Sequence, residues 1–231
     1  MTNLDLVVAL ATQPRKAFEE LQARPRFWFP LLLAVVLGAG STFWYYQVAD
    51  IEWVIDQTLN SNPRTAQMTE AQRTQAAQFM SPATLTWTST IAAGLLVALI
   101  HLIGAVYYLL AGKVVNVQQS FRHWFALSTW SALPTLLGIL PAAVILLTTT
   151  NGQIDSSAMA PLSLNELFFH RKMGEPGYTM LLTLTLLQPL AWLLAIIGMQ
   201  VWSKRSWMFC SVFVLLPSVL IYGIWGWFAF R

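Results

Sequence analysis

Charged side chains are scarce in this sequence. Only 10% of its 231 residues are Asp, Glu, Lys or Arg, whereas 56% are hydrophobic. A soluble domain carries about 25% charged residues, so the composition excludes an ordinary water-soluble protein. Cysteine is nearly absent, since Cys210 is the single one. An intrachain disulfide is therefore impossible, and we expect Cys210 to fill a small space between helices.

Motifs for catalysis and cofactor binding are also missing. The sequence contains no Gly-x-Ser-x-Gly elbow, no phosphate-binding loop and no dinucleotide fingerprint. Glu19, Glu20 and Arg24 have the spacing of a membrane-protease motif, but none of the three histidines follows a phenylalanine by four residues, as that motif requires. Glu166 and His170 are spaced like two metal ligands, without further ligands at useful spacing. We expect a protein that is not an enzyme and holds no metal or cofactor.

The few charges are distributed very unevenly along the chain. Five runs of 23, 39, 32, 28 and 25 residues lack Asp, Glu, Lys and Arg: Phe27–Ala49, Thr74–Gly112, His123–Ile154, Pro176–Ser203 and Ser206–Phe230. A membrane-spanning helix needs about 20 apolar residues, so each run accommodates one span. We predict an all-α polytopic membrane protein with a bundle of five transmembrane helices and an N-terminal interfacial helix. The predicted spans are residues 27–46, 85–111, 124–147, 179–202 and 207–228.

Residues 1–26 precede the first span and are predicted to form an amphipathic cytoplasmic segment, while residues 27–231 form the membrane domain. Pro14 suits the first turn of a helix. In that helix Ala17, Phe18 and Leu21 share a face opposite the charged side chains. Two interpretations of this face are open. It either lies in the membrane interface or docks on the protein's own spans.

The stretch from His101 to Pro141 predicts a helical hairpin made of the second and third spans. Gly104 and Gly112 are small surfaces that another helix can approach closely. Pro134 and Pro141 are expected to interrupt the third span. Such interruptions persist in lipid only where neighbouring groups or water satisfy the freed carbonyls.

Polar residues within the spans are candidates for function. His101 is the one histidine deep in a span, and intramembrane ionisable residues often mark functional sites, although a neutral histidine bonded across helices is the structural alternative. A groove lined by His101, Gln188 and Gln200 would favour lipid handling or transport. The candidate polar or hinge residues are His101, Pro134, Pro141, Gln188, Pro189 and Gln200.

Lysine and arginine predict the orientation in the membrane. With the N-terminus inside, the inner segments hold eight of these residues and the outer segments five, although the inner connectors are shorter. Because cytoplasmic segments are enriched in Lys and Arg, we predict a cytoplasmic N-terminus and an external, periplasmic C-terminus. The basic residues lie at helix ends, so nucleic acid is not an expected partner.

An apolar patch, Pro161–Phe169, lies in the loop between the third and fourth spans and is expected to fold onto the membrane or to cap the bundle. Together with the N-terminal helix it predicts contact with partners through Phe18, Leu21 and Phe168. The function that we predict is a scaffold or adaptor that binds membrane lipids and a membrane protein partner, including a second copy of itself. The alternative is a lipid-handling or small-molecule transport protein that uses a groove between proline-broken helices.

Short motifs over most of the chain carry a family resemblance. They are Pro14-Arg15 with Phe18, Gly112, Ser120-Phe121, Ser131-Ala132-Leu133-Pro134, Leu162-Ser163-Leu164-Asn165, Trp192 and Ile197-Gly198. In these positions the sequence resembles bacterial members of the Yip domain family (Ypt/Rab-interacting proteins). The resemblance implies a five-span helical domain in the bacterial inner membrane with a cytoplasmic N-terminus. Eukaryotic relatives are associated with Rab-type GTPases and vesicle traffic, and their cytoplasmic N-terminal region is longer than the one here. For bacterial members the resemblance implies no settled activity.

Overall fold

The computed structural model describes residues 1–61, 68–72, 75 and 80–231. Within these residues the chain is helical and forms no strand, apart from one isolated bridge between Ser163 and Thr185. The predicted all-α fold is therefore confirmed. The α-helices are α1 (Asn3–Thr12), α2 (Pro14–Ala23), α3 (Trp28–Val48), α4 (Ile51–Ser61), α5 (Pro82–Val114), α6 (Phe121–Ser131), α7 (Ile139–Thr148), α8 (Tyr178–Thr183), α9 (Gln188–Ser203) and α10 (Trp207–Ala229). Thr69 and Gln72 have the spacing of a capping box, which predicts a helix through about Met80, and most of that helix lies outside the described residues.

Among the described residues, four helical stretches are long and apolar enough to cross a membrane: Trp28–Val48, Pro82–Val114, Phe121–Thr148 and Trp207–Ala229. They match the first, second, third and fifth predicted spans. The fourth predicted span is divided between the short helix α8, a non-helical step at residues 184–187 and the 16-residue helix α9. Proline lacks a backbone N–H and is favoured in the first turn of a helix, so Pro189 suits the point where α9 begins.

The third span is interrupted where proline predicts it. Helix α6 ends at Ser131, a 3₁₀ helix covers Leu133–Gly138, and α7 begins at Ile139. Pro134 is the second residue of the 3₁₀ helix, so α6 cannot continue through it. Pro141 lies in the first turn of α7, where its missing N–H has no intrahelical partner to lose. Pro134 therefore lies within the interruption, whereas Pro141 lies after it, in α7.

Tertiary contacts divide the chain into two compact units. Unit 1 consists of Met1–Val35, Leu96–Leu136 and Leu187–Ile224, and unit 2 consists of Val36–Leu95, Leu137–Leu186 and Trp225–Arg231. The N-terminal segment thus shares a unit with parts of the membrane helices. Its first helix, α1, begins with a capping box, in which Thr2 and Asp5 each accept a hydrogen bond from the other's backbone N–H. These bonds hold the pKa of Asp5 below its ordinary value.

Candidate functional site

Helix α2 is docked on the protein's own helices in unit 1. Phe18 and Leu21 are fully buried and belong to the core that also contains Trp124, Trp130 and Met199. Of the two interpretations left open by the sequence, docking on the spans is the one observed. The expectation that Phe18 and Leu21 contact a partner is corrected accordingly, because the apolar face of α2 is already covered by α6 and α9.

Ring N–H groups fasten the N-terminal segment to the bundle. The ring nitrogens of Trp202, His123 and Trp130 contact the backbone carbonyls of Phe18 (2.8 Å), Gln22 (3.0 Å) and Arg26, respectively. Gln22 lies in the last turn of α2, where carbonyls lack intrahelical partners. The other ring nitrogen of His123, Nδ1, lies 2.8 Å from Ser120 Oγ. Because the Gln22 carbonyl can only accept, Nε2 is the donor in that contact.

Gly198 of α9 lets α2 approach closely. A Cβ atom at this position would lie 2.8 Å from Cδ1 of Phe18 and 2.5 Å from Cδ1 of Leu127. The ring of Phe18 meets that of Trp202 edge-on, with their centroids 6.2 Å apart. The missing side chain of Gly198 therefore makes room for Phe18 between α6 and α9.

The predicted hairpin of the second and third spans is formed by α5 and α6. His101 Nδ1 of α5 lies 3.1 Å from Ser128 Oγ of α6, so the half-buried histidine is bonded across helices. One turn further along α5, a Cβ at Gly104 would lie 3.1 Å from the same Ser128 Oγ. At Gly112 a Cβ would lie 2.8 Å from Cζ2 of Trp124. Both glycines are close-approach points, as the sequence predicts.

The carbonyl that Pro217 leaves without a helical donor, inside α10, accepts a hydrogen bond that sequence reasoning missed. Pro217 has no N–H, so the carbonyl of Phe213, four residues earlier, loses its helical partner. The hydroxyl of Tyr107 on α5 donates to that carbonyl at 2.7 Å. A proline inside a membrane helix requires another donor for the carbonyl that it leaves without a partner. The proline was visible in the sequence, but the tyrosine that compensates for it is over 100 residues away.

Replacing Tyr107 by phenylalanine is expected to lower the free energy of unfolding by about 0.5–2 kcal/mol, because the Phe213 carbonyl loses its only non-helical partner among the described residues. Thermal unfolding of the purified protein in detergent measures this loss. Tyr108→Phe is the matched control. The ring of Tyr108 stacks on Phe213 with centroids 5.8 Å apart, and its hydroxyl makes no hydrogen bond to the described residues. An equal loss in both variants would contradict the account.

The three residues predicted to line a polar groove lie on two helices, His101 on α5 and Gln188 and Gln200 on α9. Gln188 is the first residue of α9 and Gln200 lies twelve residues further along the same helix, which separates them by about 18 Å. His101 is occupied by Ser128. The Oε1 atom of Gln200 is buried and has no hydrogen-bond partner among the residues that the structure describes. Among the described residues, no hydrogen bond joins these three side chains to one another.

In unit 2 the predicted apolar patch forms an aromatic tip, which we define as Leu167, Phe168 and Phe169. All three side chains are exposed, and that of Phe168 is 66% exposed. They belong to a π-helical turn, Asn165–Phe169, outside the four long apolar helices. His170 ends the turn in the left-handed conformation, with a φ of 51°. The patch thus exposes its aromatic end, whereas Ser163 and Asn165 are buried.

The base of the aromatic tip is held by a buried asparagine. The amide Nδ2 of Asn165 donates to the Glu166 carboxylate (2.9 Å) and to the Arg171 carbonyl (3.0 Å), and its Oδ1 accepts from the Arg171 N–H (3.1 Å). The guanidinium of Arg171 lies over the ring of Phe230, 5.4 Å from its centroid. Every hydrogen-bonding group of this fully buried amide has a partner, so the turn is fixed on both sides of the tip.

A short backbone pairing anchors the loop to the divided fourth span. The N–H of Leu164 donates to the carbonyl of Leu184 at 2.7 Å, and the N–H of Leu186 donates to the carbonyl of Leu162 at 2.8 Å. These bonds use the carbonyl of Leu184 and the N–H of Leu186, two residues of the non-helical step. The step and the loop therefore satisfy backbone groups of each other.

Comparison with known proteins places this arrangement in a family. Neither the curated proteins nor the solved structures give a match to the chain. The family model of the Yip1 domain matches residues 8–229. The match begins within α1 and ends at the last residue of α10, so it includes the docked N-terminal helices, the hairpin, the aromatic tip and every long apolar helix. The chain is a multi-pass membrane protein that belongs to the Yip1 domain family.

Proposed function

We propose that the protein is a non-enzymatic scaffold or adaptor of the bacterial inner membrane, which binds another membrane protein through the aromatic tip. The observation that carries the proposal is the exposure of Phe168 and Phe169 on a turn that Asn165 holds in place. Apolar side chains exposed along a span face lipid as a matter of course. Exposed aromatic side chains on a fixed loop outside the long apolar helices are a mark of an interaction surface.

The rigidity of the turn favours association with a protein. Two aromatic side chains offer a large contact area and have few rotatable bonds, so fixing them on binding costs little entropy. The backbone beneath them is already ordered by the bonds of Asn165 and by the pairing of Leu164 with Leu184. A partner therefore meets a preformed surface.

Substituting Phe168 by glutamate tests this proposal. We expect the variant to insert into the membrane normally but to lose partners that copurify with the wild type in native lipid, as quantified by mass spectrometry. Phe168→Leu keeps an apolar surface and should retain much of the association. Val114→Glu is the matched control, because Val114 is 80% exposed and belongs to unit 1, whereas the tip belongs to unit 2. Unchanged copurification with Phe168→Glu, or an equal loss with Val114→Glu, would refute the proposal.

We also propose a cytoplasmic N-terminus and a periplasmic C-terminus. Unit 1 carries eight Lys and Arg residues against three Asp and Glu, whereas unit 2 carries five against seven. The excess of Lys and Arg in the unit that contains the N-terminus supports a cytoplasmic location for it. The last residues of the chain, Trp225–Arg231, belong to unit 2.

Reporter fusions test this orientation. A fusion after Gly112 should report the cytoplasm and a fusion at Arg231 the periplasm, because an odd number of crossings separates the N-terminus from the C-terminus in the five-span arrangement. Alkaline phosphatase and green fluorescent protein fusions at the same two positions provide complementary readouts. Both positions in one compartment would overturn the five-span arrangement.

The second candidate is lipid handling or transport. It is favoured by the buried, unpaired Oε1 of Gln200 and by the interruptions of the third and fourth spans at residues 133–138 and 184–187. This candidate predicts that the isolated protein moves lipids, whereas a scaffold needs its partner.

A further inference from the structure

Helix α1 exposes an apolar stripe on the side that does not contact α2. Leu4 and Val8 are 72% and 61% exposed, and Val7 and Ala11 are exposed beside them. Their spacing is i, i+3, i+4 and i+7, which places all four on one face of the helix. The opposite face is occupied by the buried residues Leu6, Ala9 and Leu10. The helix is therefore apolar on both sides, and only one side is covered.

A network of charged groups holds the beginning of α1 beside the entrance to the first membrane helix. The guanidinium of Arg26 donates to the carbonyl of Met1 at 2.9 Å. The Glu20 carboxylate lies 3.4 Å from the N-terminal ammonium and 3.5 Å from the Arg26 guanidinium. Arg26 is only two residues before Trp28, where α3 begins, and the side chain of Trp28 is exposed. These contacts hold the start of α1 next to the N-terminal end of α3, where the chain enters the bilayer.

Unit 1, which contains α1, also carries seven exposed cations among its described residues. Arg15, Lys16 and Arg24 are exposed on α2 and at its end, and the remaining exposed cations of unit 1 are Lys113, Arg122, Lys204 and Arg205. The exposed carboxylates in the unit are Asp5 and Glu19, and Asp5 is engaged in the capping box of α1. An apolar stripe accompanied by an excess of exposed cations has the chemistry of a helix that binds an anionic membrane surface.

We infer that α1 lies in the plane of the bilayer surface, with the stripe Leu4, Val7, Val8 and Ala11 inserted at the boundary of the acyl chains and with the nearby cations in contact with anionic headgroups. The occupant of the stripe is the surface of the same bilayer that the protein spans. Charge complementarity and the attachment of Met1 to Arg26 both favour it over a second protein. The interfacial helix is therefore α1. Helix α2 packs its apolar face on α6 and α9 and also contacts α1, so it holds α1 in place.

Lipid-borne quenchers test this inference in the full-length protein. The fluorophore NBD is attached to Val8→Cys, and the buried Cys210 is left in place, with labelled wild type as the blank. The protein is reconstituted in phosphatidylcholine vesicles, with and without phosphatidylglycerol, that contain doxyl-labelled lipid. We expect roughly twofold or greater quenching relative to a label at Glu19→Cys, because a stripe at the acyl boundary lies about 5–10 Å deep. Leu4→Cys provides a second stripe position in case the Val8 variant does not fold.

The anionic lipid provides the second readout. Phosphatidylglycerol should deepen quenching at position 8, and the triple variant Arg15→Gln, Lys16→Gln, Arg24→Gln should lose most of that increase. Quenching at positions 4 and 8 no greater than at position 19 would overturn the inference. A blue-shifted label that lipid quenchers do not reach would instead identify a second copy or another protein as the occupant, which also overturns it. Equal quenching with and without phosphatidylglycerol would contradict the role of the cations.

Discussion

Replacing Phe18 by alanine is expected to lower the free energy of unfolding by about 3–5 kcal/mol, the usual cost of removing a buried phenylalanine ring. The side chain is fully buried between α6 and α9 and packs on Gly198 and Trp202. Its removal leaves a cavity in the core of unit 1, because a closely packed interior relaxes only partly around a missing side chain. Denaturation of the purified protein in mixed micelles, followed by tryptophan fluorescence, measures the loss.

Glu19→Ala is the control for this prediction. Glu19 is the next residue of α2 and is exposed, so its removal should change the free energy of unfolding by no more than about 0.5 kcal/mol. A Phe18→Ala protein as stable as this control would mean that α2 is not docked on α9. For the same reason a charge at Phe18 would disturb the core, and loss of a partner in such a variant would say nothing about a partner surface.

Gly198→Ala is expected to destabilise the protein by about 1–3 kcal/mol, the usual cost of overpacking a filled core. The added methyl group would lie well inside contact distance of Leu127 and Phe18. Gly40→Ala is the matched control. It is also a glycine within a helix, but a Cβ there meets no atom within 4 Å. The control should gain up to about 1 kcal/mol, because alanine has the higher helix propensity.

The opposite signs of the two glycine variants are the decisive feature, since the chemical change is identical. Thermal unfolding of both proteins, measured side by side in one detergent, is sufficient. Combining Gly198→Ala with Phe18→Ala should cost less than the sum of the single losses, because the cavity left by Phe18 accepts part of the new methyl group. Stabilisation by Gly198→Ala, or strict additivity in the double variant, would contradict the close approach of α2 and α9.

Features that depend on local sequence could be predicted. Gaps between charges located the spans, because a charge deep in lipid is costly wherever the neighbouring helices lie. Pro134 predicted the interruption of the third span, since its missing N–H removes a helical hydrogen bond locally, although Pro217 shows that a helix continues where another group satisfies the freed carbonyl. Gly104 and Gly112 predicted close approach because only a missing side chain admits another helix so near.

Features that depend on distant partners could not be predicted. The apolar face of α2 is equally suited to lipid and to protein, so the pattern of Phe18 and Leu21 did not reveal what covers it. In the fourth predicted span Pro189 was a candidate hinge, but nothing in the sequence indicated that Leu184 and Leu186 pair with Leu164 and Leu162. Both outcomes are decided by the register between segments far apart in the chain.

The central claim is that the protein acts by association through the aromatic tip and not by moving lipids itself. The most direct test reconstitutes the purified protein in vesicles that contain a fluorescent lipid in both leaflets, and then adds a membrane-impermeant reductant. We predict that only outer-leaflet fluorescence is lost, as in vesicles without protein, while the Phe168→Glu variant loses its copurifying partner from cells. Loss of inner-leaflet fluorescence with the isolated protein, at the same rate in the Phe168→Glu variant, would contradict the account and establish lipid movement as the activity.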